Sequence, residues 1–300
     1  MEKVALQLKK AGLEKVLLNE PMANYTTWRV GGPADIFICP KNKEELEITM
    51  EVLKEFKVPW LILGRGSNLL VRDKGIRGAV LKLEGDFTEL TINGGKIVVG
   101  SSYSTVLLAI TIAKLGLRGF EFAGGIPGNI GGAVYMNAGA HGSDISKVLK
   151  FAEIFTSDKG FFKMSNEDLK FKYRYSILQD IKGIVTKAFF EFEEANKEEV
   201  FKVFNAYKKR RLETQPFDLP CAGSVFKNPP NNFAGKLIEE AGLKGYEIGG
   251  AKVSTLHANF IVNKGDATAQ DILNLIDYII ATVKDKFSIT LEKEVRVAGE

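Results

Sequence analysis
The stretch from Phe122 to Gly142 constrains this chain more than any other, because seven of its 21 residues are glycine, against 30 in 300 overall. Glycine has no Cβ, so such a backbone can turn through positive φ and lie directly against a bound molecule, at an extra entropic cost on folding. Few side chains in the stretch can do chemistry. It reads as a platform whose main-chain N–H groups hold a ligand, with the reacting groups supplied from elsewhere.

Length and charge narrow what that ligand is. Three hundred residues exceed what one compact core usually holds and predict two or three subdomains. With 45% apolar and 26% charged residues, the chain has the composition of an ordinary globular protein. The net charge of +4 is mild and the lysines are mixed among acids, which argues against nucleic acid and leaves local basic spots for an anionic small molecule. Cys39 and Cys221 have neither metal-ligand spacing nor enough company for a disulfide framework, so reduced thiols and no metal are expected. The first residues lack the apolar core of an export signal, and no run of about 18 apolar residues occurs. These features predict a cytoplasmic chain without a membrane partner, and we take it as a monomer.

Periodicity places the elements. An amphipathic helix is predicted over 3–18, with Val4, Leu8 and Leu13 on one face, then a β-rich stretch over 24–40 broken by Gly31, Gly32 and Pro33. Leu46, Met50, Leu53 and Phe56 give 43–57 a helical stripe closed by Pro59, and Trp60 to Gly64 is an apolar run of buried-strand type. Strand, helix, strand makes one βαβ unit, and the loop after its second strand is where such units place ligands. That loop is Gly64, Arg65, Gly66, Ser67, Asn68 and Leu69. A dinucleotide fingerprint wants glycine where Leu69 stands. Gly64 and Gly66 with Ser67 and Asn68 can still form a nest of donors for phosphate; an ordinary glycine turn is the competing reading.

Farther on, 78–83, 90–92 and 97–99 read as strands, the last two joined by a hairpin through Asn93, Gly94 and Gly95. Ser102 or Ser104 caps a helix whose core face is Val106, Leu107, Ile110, Ala113 and Leu117. Strands at 148–156 and 183–192 flank Lys170 to Ser176, with Arg174 taken as part of a strand. A helix over 197–212 turns Val200, Val203, Phe204 and Tyr207 inward, and Lys208 to Arg211 in its last turn suit the helix dipole. Beyond a linker at 214–220 come a turn at Ser224 to Pro229, a helix over 232–241 and a hairpin over 246–263. An amphipathic helix capped by Thr268 and a strand at 289–297 close the chain.

Several motifs stand in a specific order: Gly64, Gly66, Ser67 and Asn68; Ile126, Pro127, Gly128, Ile130, Gly131 and Gly132; Tyr173 to Ser176; Gly223 to Pro229; Ile248 to Gly250; and Leu291, Glu292, Glu294, Val295 and Arg296. In this combination, over residues 20–300, the chain resembles the UDP-N-acetylenolpyruvoylglucosamine reductases. The shorter type II form fits, because the segment after Tyr173 has no room for the extra tyrosine loop of type I. The resemblance implies an α+β fold, a bipartite FAD-binding module of the vanillyl-alcohol-oxidase (PCMH) type plus an α+β substrate-binding domain. Subdomain 1 would be 1–75 with 289–300 returning to it, subdomain 2 would be 76–205, and the substrate-binding domain 206–288. Non-covalent FAD would lie against Gly64, Arg65, Gly66, Ser67, Asn68 and Leu69, and against Gly124, Gly125, Ile126, Pro127, Gly128, Asn129, Ile130, Gly131 and Gly132. NADPH is the implied co-substrate. The implied reaction reduces the enolpyruvyl ether of a nucleotide sugar, UDP-N-acetylglucosamine enolpyruvate, to UDP-N-acetylmuramate in peptidoglycan synthesis.

The residues can be set against that chemistry. Hydride reaching the terminal carbon from flavin N5 pushes negative charge onto the conjugated carboxylate as an enediolate. Arg174 suits this charge as a permanent cation able to bind in bidentate fashion; outside the motif it reads as a salt-bridge partner. Ser224 is the implied proton donor to the α carbon. A serine hydroxyl is a poor acid, which serves because an enediolate is a strong base; outside the motif it reads as a turn cap. Glu294 would face the reacting carboxylate and hold or relay a proton. Strict alternation would set Glu292, Glu294 and Arg296 on one face and Leu291, Lys293 and Val295 on the other, which alone reads as a solvated strand. Lys227 and Asn228 are placed by the match to contact substrate. Cys221 has no histidine nearby to activate it, and His257 reads as a packed or pocket-lining imidazole. Two rivals stay open: an FAD-dependent sugar or alcohol oxidase on the same scaffold, and a non-enzymatic nucleotide-sugar-binding module.

Overall fold
Helix α1 (Glu2–Lys10) is shorter than its periodicity predicts. Gly12, at φ +98, follows its end, and residues 16–18 instead open strand β1 (Val16–Pro21). The computed structural model describes residues 1–300. Strand β2 (Pro33–Ile38), helix α2 (Lys43–Glu55) and strand β3 (Trp60–Ile62) appear as expected. Asn42 caps α2 by accepting the Glu45 N–H at 2.9 Å, and Leu46, Met50 and Leu53 are its buried stripe. With β5 (Ile76–Leu81) a four-stranded sheet runs in the order β1-β2-β5-β3, and β4 (Leu69–Val71) lies outside it.

The chain packs as two compact units, one of Met1–Leu17, Phe37–Gly64 and Val80–Arg211, the other of Leu18–Ile36, Arg65–Ala79 and Leu212–Glu300. In the first, β6 (Leu90–Asn93) and β7 (Lys96–Gly100) form the expected hairpin, with Asn93 opposite Lys96 and Gly94 at φ +57. Helix α3 (Thr105–Lys114) is capped by Ser104, which accepts the Leu107 N–H at 3.4 Å. Its buried face is Leu108, Ala109, Ile112 and Ala113, while Leu107 is 54% exposed, against expectation. The helix is apolar nearly all round, so its pattern does not fix its rotation.

After β8 (Leu117–Arg118), α4 (Ile130–Tyr135), β9 (Gly139–Ala140) and β10 (Ser143–Asp144) come the long strands β11 (Leu149–Thr156) and β12 (Gly160–Ser165). Helix α5 (Leu178–Ile181), β13 (Ile184–Glu191), β14 (Glu193–Glu194) and α6 (Lys197–Thr214) follow. An antiparallel sheet of order β12-β11-β13-β7-β6 results, and β12 is a strand the sequence reading lacked. Phe120 centres the core, its ring 5.4, 5.5 and 5.6 Å from those of Phe122, Phe190 and Phe192. On α6, Val200 and Phe204 are buried as predicted, but Val203 is exposed.

The second unit holds α7 (Ala234–Glu240), β15 (Glu247–Ile248), β16 (Ala251–Val253), β17 (Ile261–Asn263), α8 (Ala269–Phe287) and β18 (Arg296–Ala298). The single hairpin expected over 246–263 is a three-stranded antiparallel sheet. Thr268 and Asp271 form a capping box on α8, and the Asp73 carboxylate adds bonds from Ala269 N–H and Gln270 N–H at 2.8 and 2.9 Å. Trp28 is fully buried; its Nε1 donates to Ile261 O at 2.7 Å and its own carbonyl accepts from Asn263 Nδ2 at 2.9 Å. At the C-terminus, β18 pairs in parallel with β4. Upstream, Leu291 and Val295 are buried and Glu292 and Arg296 exposed, as alternation expects; Lys293, on the buried pair's face by that count, is exposed, and the segment bridges Phe226. No helix is long and apolar enough to cross a membrane.

Candidate active site
The glycine platform folds as a 3-10 turn at Glu121–Gly125 followed by the short α4. A side chain on Gly124 would overlap the Phe204 ring, and one on Gly125 the Arg211 stem, so these two glycines let α6 pack against the backbone. Gly132 differs, since a Cβ there meets nothing within 4 Å. As donors, Ile130 and Gly131 are committed to Tyr103 O and Ser101 O at 3.0 and 2.7 Å. Gly64, from the other glycine motif, lies against Asn129, since a Cβ built on it would stand 3.7 Å from the asparagine Cβ. Beside this surface, Thr105 Oγ1 and His141 Nε2 are buried with no hydrogen-bond partner, and the Thr105 N–H donates to Gly128 O at 3.0 Å. Bare backbone next to buried polar atoms needing partners fits a cofactor with phosphate and ribose oxygens.

Arg174 sits at the tip of a tight turn rather than in a strand. Lys172 and Tyr175 exchange both main-chain hydrogen bonds at 3.1 Å, which forces Arg174 to φ +56. That conformation costs on the order of 1 kcal/mol and persists only where the surroundings impose it. Gln179 Nε2 donates to Arg174 O at 3.1 Å, Arg174 Nη2 donates to Gly139 O at 3.2 Å, and the guanidinium lies 4.9 Å from the Tyr173 ring centre. Burial, and then the charge of Arg174, push the Arg211 guanidinium down to about 10. The His141 ring stacks on Tyr207 at 4.0 Å, and burial, with Arg211 and Arg210 behind it, holds its imidazole below the ordinary value. The end of the platform is therefore electropositive, a setting for an anion. Sequence reasoning assigned Arg211 to the helix dipole; its burial beside Gly125 depends on packing that no local pattern encodes.

In the second unit, Gly66 takes φ +68, and a side chain there would collide with Tyr25 O. Asn68 Nδ2 donates to Glu294 O at 3.1 Å, and Arg296 N–H returns a bond to Asn68 O at 3.1 Å. Ser224 follows Gly223, at φ +74, and its neighbour Val225 accepts the Glu294 N–H at 2.8 Å. Ser224 and Glu294 are thus brought onto adjoining backbone runs. Lys227 Nζ pairs with Glu292 Oε1 at 2.6 Å, and Asn228 Oδ1 accepts the Ala234 N–H at 3.1 Å. His257 packs edge-on against Phe260 at 4.8 Å, and its Nδ1 accepts the Asn259 N–H at 3.2 Å. Burial raises the Cys221 thiol pKa, which disfavours a nucleophilic role.

Residues 34–162 match the FAD binding domain family, and residues 215–298 match the C-terminal domain of UDP-N-acetylenolpyruvoylglucosamine reductase. The UDP-N-acetylenolpyruvoylglucosamine reductase of Anoxybacillus flavithermus is 51% identical over 300 residues, covering 100% of this chain and 99% of the relative. That of Bacillus subtilis is 48% identical over the same shares. The crystal structure of UDP-N-acetylenolpyruvylglucosamine reductase from Thermus caldophilus aligns with a TM-score of 0.82 at 38% identity, covering 95% of this chain and 98% of that one.

Proposed function
Because the chain belongs to the UDP-N-acetylenolpyruvoylglucosamine reductase family and carries its FAD-binding domain, we propose that it reduces UDP-N-acetylglucosamine enolpyruvate to UDP-N-acetylmuramate, with NADPH as reductant, in peptidoglycan synthesis. In this reading it works as a cytoplasmic monomer, with FAD-binding segments at 1–75, 289–300 and 76–205 and a substrate-binding domain at 206–288. One observation supports it most. Asn68 of the glycine loop bonds Glu294 O, and the Glu294 N–H bonds Val225 O next to Ser224. A cofactor-loop side chain, the proposed acid and the proposed hydroxyl donor therefore share one backbone network.

Gly64 to Leu69 and Gly124 to Gly132 would hold FAD, which, once reduced by NADPH, would supply the hydride chemistry at the terminal carbon of the enolpyruvyl group. Arg174 binds the substrate carboxylate and stabilises the negative charge that grows there. Ser224 gives its hydroxyl proton to the α carbon, a transfer that runs downhill because the enediolate is the stronger base. Glu294 holds or relays the proton beside the same carboxylate. Lys227 and Asn228 contact the substrate, and Lys227 offers its ammonium to the phosphates.

The test is direct. The purified protein should show flavin absorption, and NADPH oxidation should require the enolpyruvyl nucleotide sugar. Oxidation sustained by oxygen alone would favour a sugar or alcohol oxidase. A colourless protein that binds the nucleotide sugar without consuming NADPH would be a binding module. Ser224→Ala should leave flavin reduction by NADPH intact while stopping flavin reoxidation by substrate; equal slowing of both half-reactions would overturn the serine's role.

A further inference from the structure
Asn259 is 4% exposed and its polar groups converge on the two residues that follow Ser224. Its carbonyl oxygen accepts the Val225 N–H at 2.9 Å, its Oδ1 accepts the Phe226 N–H at 2.9 Å, and its Nδ2 donates to Phe226 O at 2.8 Å. The carboxamide thus acts as a strand partner would, offering one donor and one acceptor to the N–H and C=O of a single residue. Among side chains of this reach, only asparagine can do both. The other edge of the same run is held as well, with Glu294 N–H on Val225 O and Lys227 N–H on Glu292 O at 2.8 and 2.9 Å.

On the N-terminal side of Ser224, Gly223 turns the chain at φ +74, Ala222 before it is buried, and Cys221 bridges Val262. On its C-terminal side, Val225 and Phe226 are fully buried and bonded along both edges. Ser224 is therefore carried between two held segments, and Asn259 holds the C-terminal one. Asn259 is itself fixed: its N–H donates to His257 Nδ1 at 3.2 Å, and Ser254 Oγ accepts the Leu256 and His257 N–H groups at 3.1 and 3.3 Å.

We infer that Asn259 is the positioning residue for Ser224, aiming its hydroxyl for proton delivery; this rests on the proton-donor reading of Ser224. Orientation of a donor matters steeply, and a displacement of about 1 Å can cost on the order of a hundredfold in rate.

The test uses the full-length FAD-loaded protein carrying Asn259→Asp or Asn259→Leu, read by rapid mixing as two separate half-reactions. Asn259→Asp keeps the acceptor for the Phe226 N–H and, ionised above the carboxylate range, sets a charged oxygen against Phe226 O in place of the donor, so it remains informative at neutral pH if Asn259→Leu does not fold. Flavin reduction by NADPH should stay within about twofold of wild type, while reoxidation by the enolpyruvyl nucleotide sugar slows roughly tenfold to a hundredfold. The solvent deuterium effect on reoxidation should rise, because proton delivery becomes the slow step. A folded, flavin-loaded Asn259→Asp protein that reoxidises at the wild-type rate overturns the inference, as does one in which both half-reactions fall together. Ser224→Ala measured alongside separates the two ideas: if it also reoxidises at the wild-type rate, the proton-donor reading has failed.

Discussion

Asn68 donates its Nδ2–H to the carbonyl oxygen of Glu294 at 3.1 Å, across 226 positions of sequence. With Arg296 N–H on Asn68 O and Arg296 opposite Leu69 in the parallel pair β18·β4, the second glycine loop and the segment carrying the proposed acid are one piece of backbone. Asn68→Ala removes one hydrogen bond of the ordinary kind, worth about 1 kcal/mol. It should lower the melting temperature modestly and increase flavin loss on gel filtration. Unchanged flavin retention would mean that the loop does not depend on this tether.

Two glycines of the platform should answer differently to alanine. At Gly124 the new methyl would overlap the rigid Phe204 ring, so Gly124→Ala should destabilise the fold by about 2 kcal/mol. At Gly132 the methyl meets nothing within 4 Å of protein, so Gly132→Ala should leave the apoprotein's melting temperature nearly unchanged and weaken FAD binding instead. Thermal unfolding of apoprotein together with a flavin titration distinguishes them. Equal flavin affinity in Gly132→Ala and wild type would remove that part of the platform from the cofactor site.

The Lys227–Glu292 pair, at 2.6 Å with the glutamate largely exposed, occupies the ammonium proposed to meet the substrate's phosphates. An exposed pair of this kind adds well under about 1 kcal/mol to stability. Glu292→Gln should therefore leave the melting temperature alone and lower KM for the nucleotide sugar by roughly twofold to fivefold at unchanged kcat, most visibly at low salt. A raised KM would show that the glutamate orients the lysine rather than competing for it.

Burial, and behind it the Glu84 carboxylate, push the Cys39 thiol from 9.0 up to about 11. Below pH 9.0 the thiol is neutral in folded and unfolded chains alike, and its full contribution is present. Between pH 9.0 and about 11 the unfolded chain ionises while the folded one does not, so stability falls across that window. Urea midpoints of wild type and Cys39→Ala should converge as pH rises from 9.0 toward 11. A constant gap would place the thiol in a more polar setting. Native Cys39 should also resist alkylation at pH 8, since thiolate is the reactive form.

Much of this protein was legible in its residues. The Ser104 and Thr268 caps, the Asn93–Lys96 turn and the stripe of α2 are encoded within a few positions of where they act, and local chemistry at that range leaves few alternatives. The ordered motifs carried the family, hence the residues at which to look for chemistry. Legibility ended where a contact partner lies far along the chain. The rotation of α3 is not encoded, because an all-apolar helix carries no directional pattern. The local pattern around Arg174 predicts a strand, whereas Lys172 and Tyr175 close a turn around it. Nothing in the neighbourhood of Asn259 announces that its amide will meet Phe226, 33 residues earlier. Short-range patterning fixed the elements and the chemical types available; which side chain bonds which backbone was settled by packing, because hydrogen-bond partners dozens to hundreds of residues apart are chosen only once a core closes around them.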